Sequence, residues 1–252
     1  INGSWQVVAN QRMDGVIVIS PDGPECKKLR DVKQGDMIVC SATSVRVFPP
    51  EREREGSVFG FMENEVSSER RVEVTVSKIA SELENIKKGG GKTVVVAGPV
   101  VIHTGGSEAL SYLIREGYVQ GLLSGNALAV HDIESVFFGT SLGIDLVTGK
   151  PTHEGHRNHM RAINRIYSYG SIEQAVEAGA LNRGIMYELT KKNIPYCLAG
   201  SIRDDGPLPE TENDMIRAQA EYSRILEGTQ MVLMLSSMLH SIGTGNMLPS
   251  WV

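Results

Sequence analysis

The chain has 252 residues, of which 41% are hydrophobic and 22% charged, and its net charge is −5. This is the composition of a globular protein with one or two domains, and the absence of a basic stripe argues against nucleic acid as a partner. Its longest apolar stretch, residues 93–102, is far shorter than a membrane span. Three widely spaced cysteines without a CxxC pair indicate a reducing cytoplasm rather than a disulfide framework. No signal-peptide pattern is visible, and because Ile1 is not a methionine we expect the natural start to be missing.

The first 75 residues are predicted to form a small β-rich domain, because they contain short apolar runs with Gly/Pro turns between them. The turn signal is Pro-Asp-Gly-Pro at 21–24, and a charged segment at 49–55 is typical of a solvated loop. The expected short strands lie at 15–19, within 32–40 and at 44–48.

From residue 76 onward the pattern changes to alternating strands and helices. A helical pattern ends at the glycines of 89–91, and strand-like and helix-like segments then follow one another to the end of the chain. Strands are expected at 93–97, 119–123, 195–199 and 231–235, and helices at 107–117, 129–137, 159–169, 171–190 and 210–226. Apolar strands separated by helices predict an α/β fold, with a parallel sheet covered on both faces. We therefore expect a β-rich domain at 1–75 and an α/β domain at 76–252.

Residues 92–106 carry a pattern that α/β proteins use to hold phosphate. Two β-branched runs, 94–97 and 100–102, are separated by Gly-Pro, and the second meets Thr104, Gly105 and Gly106 just before a helical pattern. A glycine turn at a helix N-terminus presents backbone N–H groups to an anion. The spacing matches neither GxGxxG nor the P-loop, so a phosphate site and an ordinary tight turn stay equally open.

Small and polar residues follow all four expected strands of the α/β domain. These segments are 104–106, 125–127, 200–206 and 236–241. Ligands of parallel sheets bind beyond the carboxyl ends of the strands, and four such segments together favour a nucleotide over a set of ordinary turns. The polar side chains that can orient a ligand there are Asn126, Asp204, Asp205 and His240.

Two further groups have a functional and a structural interpretation. Arg203, Asp204 and Asp205 can supply a ribose-hydroxyl acceptor and a general base, although a turn with a local ion pair is slightly favoured. His131 and Asp132 can face a substrate or cap a helix, with neither alternative preferred.

Three histidines at 153, 156 and 159 are candidate metal ligands, but their spacing does not favour a metal site. The third lies too far round a helix, and no other Cys or His pair completes a zinc set. A polar segment that contacts an anionic or amino-acid substrate is preferred, and no metal is expected. Cys197 lies within an expected strand and is interpreted as a core residue rather than a nucleophile.

Several long motifs resemble a known family. They are Val-Val-Ala-Gly-Pro at 95–99, His-Thr-Gly-Gly at 103–106, Leu-Ser-Gly-Asn-Ala-Leu-Ala-Val-His-Asp at 123–132, Gly-His-Arg-Asn-His at 155–159 and Ala-Gly-Ser-Ile-Arg-Asp-Asp-Gly-Pro-Leu-Pro-Glu at 199–210. The chain resembles the archaeal-type ornithine cyclodeaminases, earlier labelled the LOR/SDH bifunctional-enzyme conserved domain. It is also similar to the cyclodeaminase half of cyanobacterial arginine dihydrolase fusion enzymes. The resemblance is strong over about 90–252, and the β-rich part resembles the domain that precedes it in this family.

The resemblance implies a Rossmann-like, NAD-binding domain of the deoxyhypusine-synthase-like type. It implies conversion of L-ornithine to L-proline and ammonia through an imine and a cyclic imine, with hydride returned from NADH. The implied NAD contacts are Asn126, Ala127, Asp205, Ser237, Met238, Leu239 and His240, and Thr104, Gly105 and Gly106 are expected near the phosphates. Asp204 and Asp132 are the candidates for base or ammonium anchor, with His131 as a second choice for proton transfer. Arg157 or Arg203 is expected to hold the substrate carboxylate.

In the family a further strand follows Leu-Pro-x-Trp, whereas this chain stops at Val252. We therefore expect truncation at both ends and a cofactor site that is partly missing. Three alternatives stay open: a saccharopine-type oxidoreductase, a non-catalytic NAD-binding module and, ranked low, a deoxyhypusine-synthase-like transferase. The last needs a lysine near the nicotinamide, and Lys150, Lys191 and Lys192 lie at no expected strand end. A cytoplasmic homo-oligomer that contacts neither nucleic acid nor membrane is expected.

Overall fold

The computed structural model describes residues 1, 3–11, 15–48, 68–152, 155–202, 204, 206–249 and 252, without the side chains of 42, 68–71 and 156. The chain divides into two compact units, one formed by Ile1–Glu73 with Gly243–Val252 and the other by Val74–Ile242. No helix within these described ranges is long and apolar enough to cross a membrane.

The first unit contains a three-stranded antiparallel sheet in the order β2-β1-β3. Its strands are β1 (Gly15–Ser20), β2 (Gly23–Lys28) and β3 (Met37–Ile38). The expected β-rich character is confirmed, but the details differ. The predicted turn at 21–24 is shorter, because Ser20 already pairs with Gly23. The predicted strand at 44–48 is wrong, since a 3-10 turn covers Ala42–Ser44 and no strand follows it up to residue 48. The predicted loop at 49–55 lies outside the described residues.

The remaining elements alternate between strands and helices. They are α1 (Ser68–Lys88), β4 (Lys92–Ala97), α2 (Val100–His103), α3 (Ser107–Arg115), β5 (Gly121–Gly125), α4 (Asn126–Phe138), β6 (Thr140–Ser141), β7 (Ile144–Asp145), α5 (Asn158–Tyr169), α6 (Ile172–Glu177), α7 (Ile185–Lys191), β8 (Tyr196–Ala199), β9 (Thr211–Glu212), α8 (Met215–Leu226), β10 (Thr229–Leu235) and α9 (Met238–Gly245). The short β6 and β7 pair as an antiparallel hairpin.

Five of these strands form one parallel sheet in the order β10-β4-β5-β8-β9. From β4 the chain adds β5, β8 and β9 on one side, and only β10 on the other. The order therefore reverses between β4 and β10. In open parallel sheets this switch point is where ligands bind, beyond the carboxyl ends of the strands.

Helices cover both faces of this sheet. Val95, Leu122 and Leu198 join the large buried cluster that α3 to α7 complete on one face. Val94 alternates to the other face, where it meets Ile225 of α8 beside Gly121. Burial of each such aliphatic side chain stabilises the fold by about 1.5–3 kcal/mol. The predicted α/β fold with a covered parallel sheet is confirmed.

Three segments of the α/β part depart from the sequence prediction. The predicted helix 210–226 begins only at Met215, because Thr211–Glu212 pairs with β8 as β9 and Asp214 caps the helix. The apolar run 100–102 forms the short helix α2, which was not predicted; Pro99 has no N–H for a strand ladder, and its φ of −63° suits the start of a helix. The predicted helix 171–190 is two helices, α6 and α7. Ser171 caps the first of them by accepting a hydrogen bond from the Gln174 N–H at 3.0 Å.

Candidate functional site

The loops after β4 and β10 touch through their backbones at the switch point. The N–H of Gly98 donates to the carbonyl oxygen of Leu235 at 2.8 Å. A Cβ added at Gly98 would lie 2.2 Å from the carbonyl oxygen of Ser236, so only glycine fits there. Gly98 is therefore the residue that joins the two edges of the crevice.

The turn at 104–106 closes the short helix α2. Gly105, with φ +82°, donates its N–H to the carbonyl of Ile102 at 3.0 Å, and Gly106 donates to Val101 at 2.8 Å. This is the glycine C-cap that closes helix α2. Thr104 also turns inward, since its hydroxyl donates to the carbonyl of Val100 at 2.8 Å. Of the two interpretations that the sequence leaves open, this geometry fits the tight turn, because β4 ends at Ala97 and the N–H groups of Gly105 and Gly106 already donate within the turn.

Helix α4 begins directly at the carboxyl end of β5 and has no side-chain cap. Gly125 is its extended N-cap residue, and Asn126 and Ala127 open its first turn. Asn126 is buried, and its Oδ1 accepts hydrogen bonds from the Leu208 N–H and the Thr211 hydroxyl, both at 3.0 Å. The Asn126 side chain thus fixes the segment that follows β8, while the first-turn N–H groups of α4 remain suited to an anion.

The imidazole of His240 lies against Gly125. A Cβ added at Gly125 would be 2.7 Å from Nε2 of His240. Tyr222 donates its hydroxyl proton to the carbonyl of Ser124 at 2.8 Å, and its oxygen is 3.0 Å from Nδ1 of His240. Burial lowers the pKa of His240, and the charge of Asp204 partly opposes this. The structure thus brings three predicted strand ends together, those of β5, β8 and β10.

Asp204 is half-buried in the turn after β8. Its Oδ2 accepts a hydrogen bond from the Ser201 N–H at 2.8 Å. This bond orients the carboxylate at the same edge of the sheet as His240. Of the candidate acidic residues that the structure describes, Asp132 is buried and Asp204 is partly open to solvent.

A second polar cluster surrounds the buried carboxylate of Glu134. Nδ1 of His131 lies 2.8 Å from Oε2, and the Thr140 hydroxyl donates to Oε1 at 2.8 Å. Asn158 in turn donates to the Thr140 oxygen at 2.9 Å. His103 packs edge-on against His131 with 4.8 Å between ring centroids. Burial is the largest cause that lowers the pKa of His103.

Asp132 lies entirely inside the protein. Oδ1 accepts from the Ser107 hydroxyl at 2.9 Å, and Oδ2 accepts from the Met186 N–H at 2.8 Å. Burial raises the pKa of this carboxyl, against the lowering effect of these hydrogen bonds. Of the two interpretations given to His131 and Asp132, a cap fits Asp132, but for the N-terminus of α7 rather than for its own helix.

Some predicted residues are placed elsewhere or not described. Arg203, Asp205 and His153 lie outside the described residues, as does the side chain of His156. Arg157 is exposed just before α5, and Met238 and Leu239 at the start of α9 are 81% and 71% exposed. Cys197 is buried as predicted, and burial raises its pKa to about 12.

Sequence reasoning missed four residues that shape these clusters: Gly98, Ser124, Tyr222 and Glu134. For Gly98 a signal existed, since Gly-Pro at the end of the first apolar run marks the strand end more directly than residues 104–106. Nothing in the sequence distinguishes Tyr222 or Glu134 from other residues of a helical pattern. The partners of Tyr222 are distant in sequence, and Glu134 becomes buried only on folding.

Comparison with known proteins identifies the family. Residues 77–252 match the family model described as "Arginine dihydrolase ArgZ-like, C-terminal, Rossmann fold", and residues 1–76 match its "first region". The chain belongs to the ArgZ-like C-terminal family. The resemblance inferred from the motifs is thereby confirmed.

Two relatives show how much of the chain and of longer proteins the similarity covers. The ornithine cyclodeaminase of Methanocaldococcus jannaschii is 55% identical over 99% of this chain and 61% of its own length. The bifunctional arginine dihydrolase/ornithine cyclodeaminase ArgZ of Synechocystis sp. is 54% identical over the whole chain and 37% of its own length. The chain thus spans between about a third and two thirds of these relatives.

Solved structures agree with the ArgZ-like assignment. A LOR/SDH protein from Methanococcus maripaludis S2 superposes with a TM-score of 0.92 at 48% identity, covering all of this chain and 77% of that one. A ternary complex of AgrE with ornithine and NAD⁺ matches with a TM-score of 0.72 at 54% identity, covering all of this chain and 35% of that one.

Proposed function

We propose that this chain is the cyclodeaminase part of an enzyme that converts L-ornithine to L-proline and ammonia with NAD as cofactor. The observation that carries this proposal is the 55% identity, over 99% of the chain, to a protein named ornithine cyclodeaminase. Support also comes from AgrE, a relative of 54% identity that has been crystallised with ornithine and NAD⁺. Because the chain covers only 61% of the first of these relatives, the activity of the whole protein is part of the proposal.

The residues at the switch point suit a dinucleotide. Gly98 and Gly125 leave the strand ends bare of side chains, and the uncapped first turn of α4 offers N–H groups to a phosphate. We place the phosphates there, at Asn126 and Ala127, rather than at residues 104–106, whose glycine N–H groups are occupied. Residues 237–240 form the opposite wall in this proposal, and Asp205 is assigned to the ribose hydroxyls.

The substrate needs a group that holds and deprotonates an ammonium. When bound, NAD accepts hydride from C2 of ornithine, the carbon that bears the α-amino group, and returns it to the cyclic imine. Asp204 suits the ammonium anchor, because its carboxylate is partly open at the same edge of the sheet. Arg157 or Arg203 is assigned to the substrate carboxylate. Asp132 has no catalytic role in this proposal, since a fully buried carboxylate bonded to Ser107 and Met186 has no face for a substrate.

The order of bond changes is a finer part of the proposal. Oxidation at the amino-bearing carbon gives an imine, and attack by the other amino group with loss of ammonia gives a cyclic imine. Reduction of that cyclic imine gives proline. The chain must keep water away from both imines until the last step.

A turnover assay with little cofactor tests this function. The purified natural protein is given L-ornithine in large excess over NAD⁺, and proline, ammonia and NADH are measured. We expect equal amounts of proline and ammonia, far exceeding the NAD⁺ supplied. NADH formed in proportion to substrate consumed, without proline, would instead show an amino-acid dehydrogenase. NAD binding without turnover of ornithine would show a binding module.

A further inference from the structure

The hydrogen bonds around Tyr222 fix which nitrogen of His240 carries the proton. The Ser124 carbonyl oxygen only accepts, so at 2.8 Å the single hydroxyl proton of Tyr222 must point toward it. The Tyr222 oxygen then has only lone pairs for Nδ1 of His240, 3.0 Å away, and Nδ1–H is the donor. Burial raises the pKa of Tyr222, which keeps the phenol neutral. In neutral His240 the lone pair therefore lies on Nε2.

This lone pair lies at the carboxyl end of β5. Nε2 is 2.7 Å from the position of a Cβ at Gly125, the residue that ends β5 and caps α4. No described atom donates a hydrogen bond to Nε2, and the ring is only partly buried. An acceptor without a partner, set at the edge of the sheet where parallel folds bind ligands, is available to a substrate.

We propose that His240 is the general base of this site and takes a proton from an ammonium group of the diamino-acid substrate, with Tyr222 as its positioning residue. The proposal rests on the proposed function. The nitrogen–hydrogen bond of the ammonium breaks, its electron pair stays on the nitrogen, and a new Nε2–H bond forms. His240 becomes an imidazolium held by Tyr222 through Nδ1–H. Because ornithine carries two ammonium groups and the products are zwitterionic proline and NH₄⁺, this proton leaves with the ammonia.

Two described neighbours and burial set the charge preference of His240. The described groups that face it are Tyr222 from α8 and Asp204 from the turn after β8. Burial lowers the pKa of His240, while Asp204 stabilises the imidazolium that forms. Asp204 therefore anchors charge beside the base, and His240 carries the proton.

Nitrogen-15 NMR of the histidine side chains tests the tautomer without cofactor or substrate. At pH 8 the wild-type protein is expected to show His240 as the Nδ1–H form. In Tyr222→Phe this preference should be lost, whereas it should persist in the matched variant Tyr118→Phe. Tyr118 bonds Glu84 and precedes β5, at the opposite edge of the sheet. An Nε2–H form of His240 in the wild type would overturn the proposal.

Kinetics on the same proteins test the role of the base. His240→Ala should lower kcat/KM for ornithine by about 10²–10⁴-fold, with partial rescue by added imidazole. Tyr222→Phe should lower kcat about tenfold, as expected for losing one neutral hydrogen bond, with little change in KM. A loss of NAD affinity in His240→Ala that accounts for the whole loss of kcat/KM would leave His240 as a cofactor contact without a role in proton transfer and overturn the proposal. Unchanged kcat/KM in His240→Ala would overturn it as well.

The wild-type result separates the two levels of the proposal. If the wild type forms proline and His240→Ala is equally active, the base assignment fails while the proposed function stands. If the wild type forms no proline from ornithine, the proposed function fails and the base assignment fails with it.

Discussion

Nδ1 of His131 lies 2.8 Å from Oε2 of Glu134, a carboxylate that no solvent reaches. The Thr140 hydroxyl donates to the other oxygen of Glu134, so both oxygens of the group depend on neighbouring donors. A buried carboxylate that loses a donor has no water to replace it. This makes His131 a structural support as much as a candidate for catalysis.

Replacing His131 tests that support. In His131→Ala the Glu134 carboxylate is left with an empty position, and we expect the free energy of unfolding to fall by about 3 kcal/mol. His131→Asn keeps a side-chain N–H and should lose clearly less. Urea denaturation of both variants measures the difference. Equal stability of His131→Ala and the wild type would show that the pair is not a support.

Two glycines at the strand ends should respond differently to a methyl group. In Gly98→Ala the new Cβ meets the Ser236 backbone, which cannot move alone, so a loss of about 3 kcal/mol in stability is expected. In Gly125→Ala the only close approach among the nearest atoms is to the His240 imidazole, at 2.7 Å, while the Ala199 carbonyl oxygen stays at an ordinary contact distance of 3.6 Å, so stability should change by less than about 1 kcal/mol. Proline formation by Gly125→Ala should nevertheless fall sharply, because His240 is displaced. A fully active Gly125→Ala would contradict this account of the crevice.

Replacing Gly105 distinguishes a helix cap from a phosphate-binding turn. Its φ of +82° makes Gly105→Ala cost about 1–2 kcal/mol of stability, with no change in NAD affinity. Gly117 is a matched control, since its φ is +76° and it follows α3 in the same way. Gly117→Ala should lose a similar amount. If isothermal titration shows weaker NAD binding for Gly105→Ala alone, the phosphate site is the correct interpretation of this turn.

The alternation of strands and helices was predictable because it depends on local periodicity. Buried residues such as Val95 and Leu122 form continuous apolar runs, and glycine or proline marks most ends. The run at 100–102 is misleading because β-branched residues favour strands, whereas the geometry imposed by Pro99 starts a helix there.

The candidate site was predictable only as a set of strand ends. Residues 125–127 and 236–241 do lie at neighbouring strand ends, because a parallel sheet places all its carboxyl ends on one edge. The partners of His240 and Asp132 were not predictable. Tyr222 and Met186 are far away in sequence, and only folding brings their atoms within hydrogen-bond distance.

Stability should fall as the solution becomes acidic through the histidine range. Burial lowers the pKa of both His103 and His240 below the usual value, so the unfolded chain binds protons more readily than the folded one. The stabilisation is therefore full above about pH 6.5 and is lost as the pH falls through the lower, folded-state values. Urea midpoints measured between pH 8 and pH 5 should decline less in His103→Gln than in the wild type. An identical decline in both proteins would exclude His103 as a contributor.

The fate of deuterium at C2 of ornithine tests the central claim most directly. With L-[2-²H]ornithine and an amount of NAD⁺ far below that of the substrate, hydride must leave and return to the same carbon within one bound complex. Mass spectrometry should find proline that retains deuterium at C2, while the total of NAD⁺ stays unchanged. Proline without the label, or NADH formed in step with the ornithine consumed, would contradict the assignment of this chain as an ornithine cyclodeaminase.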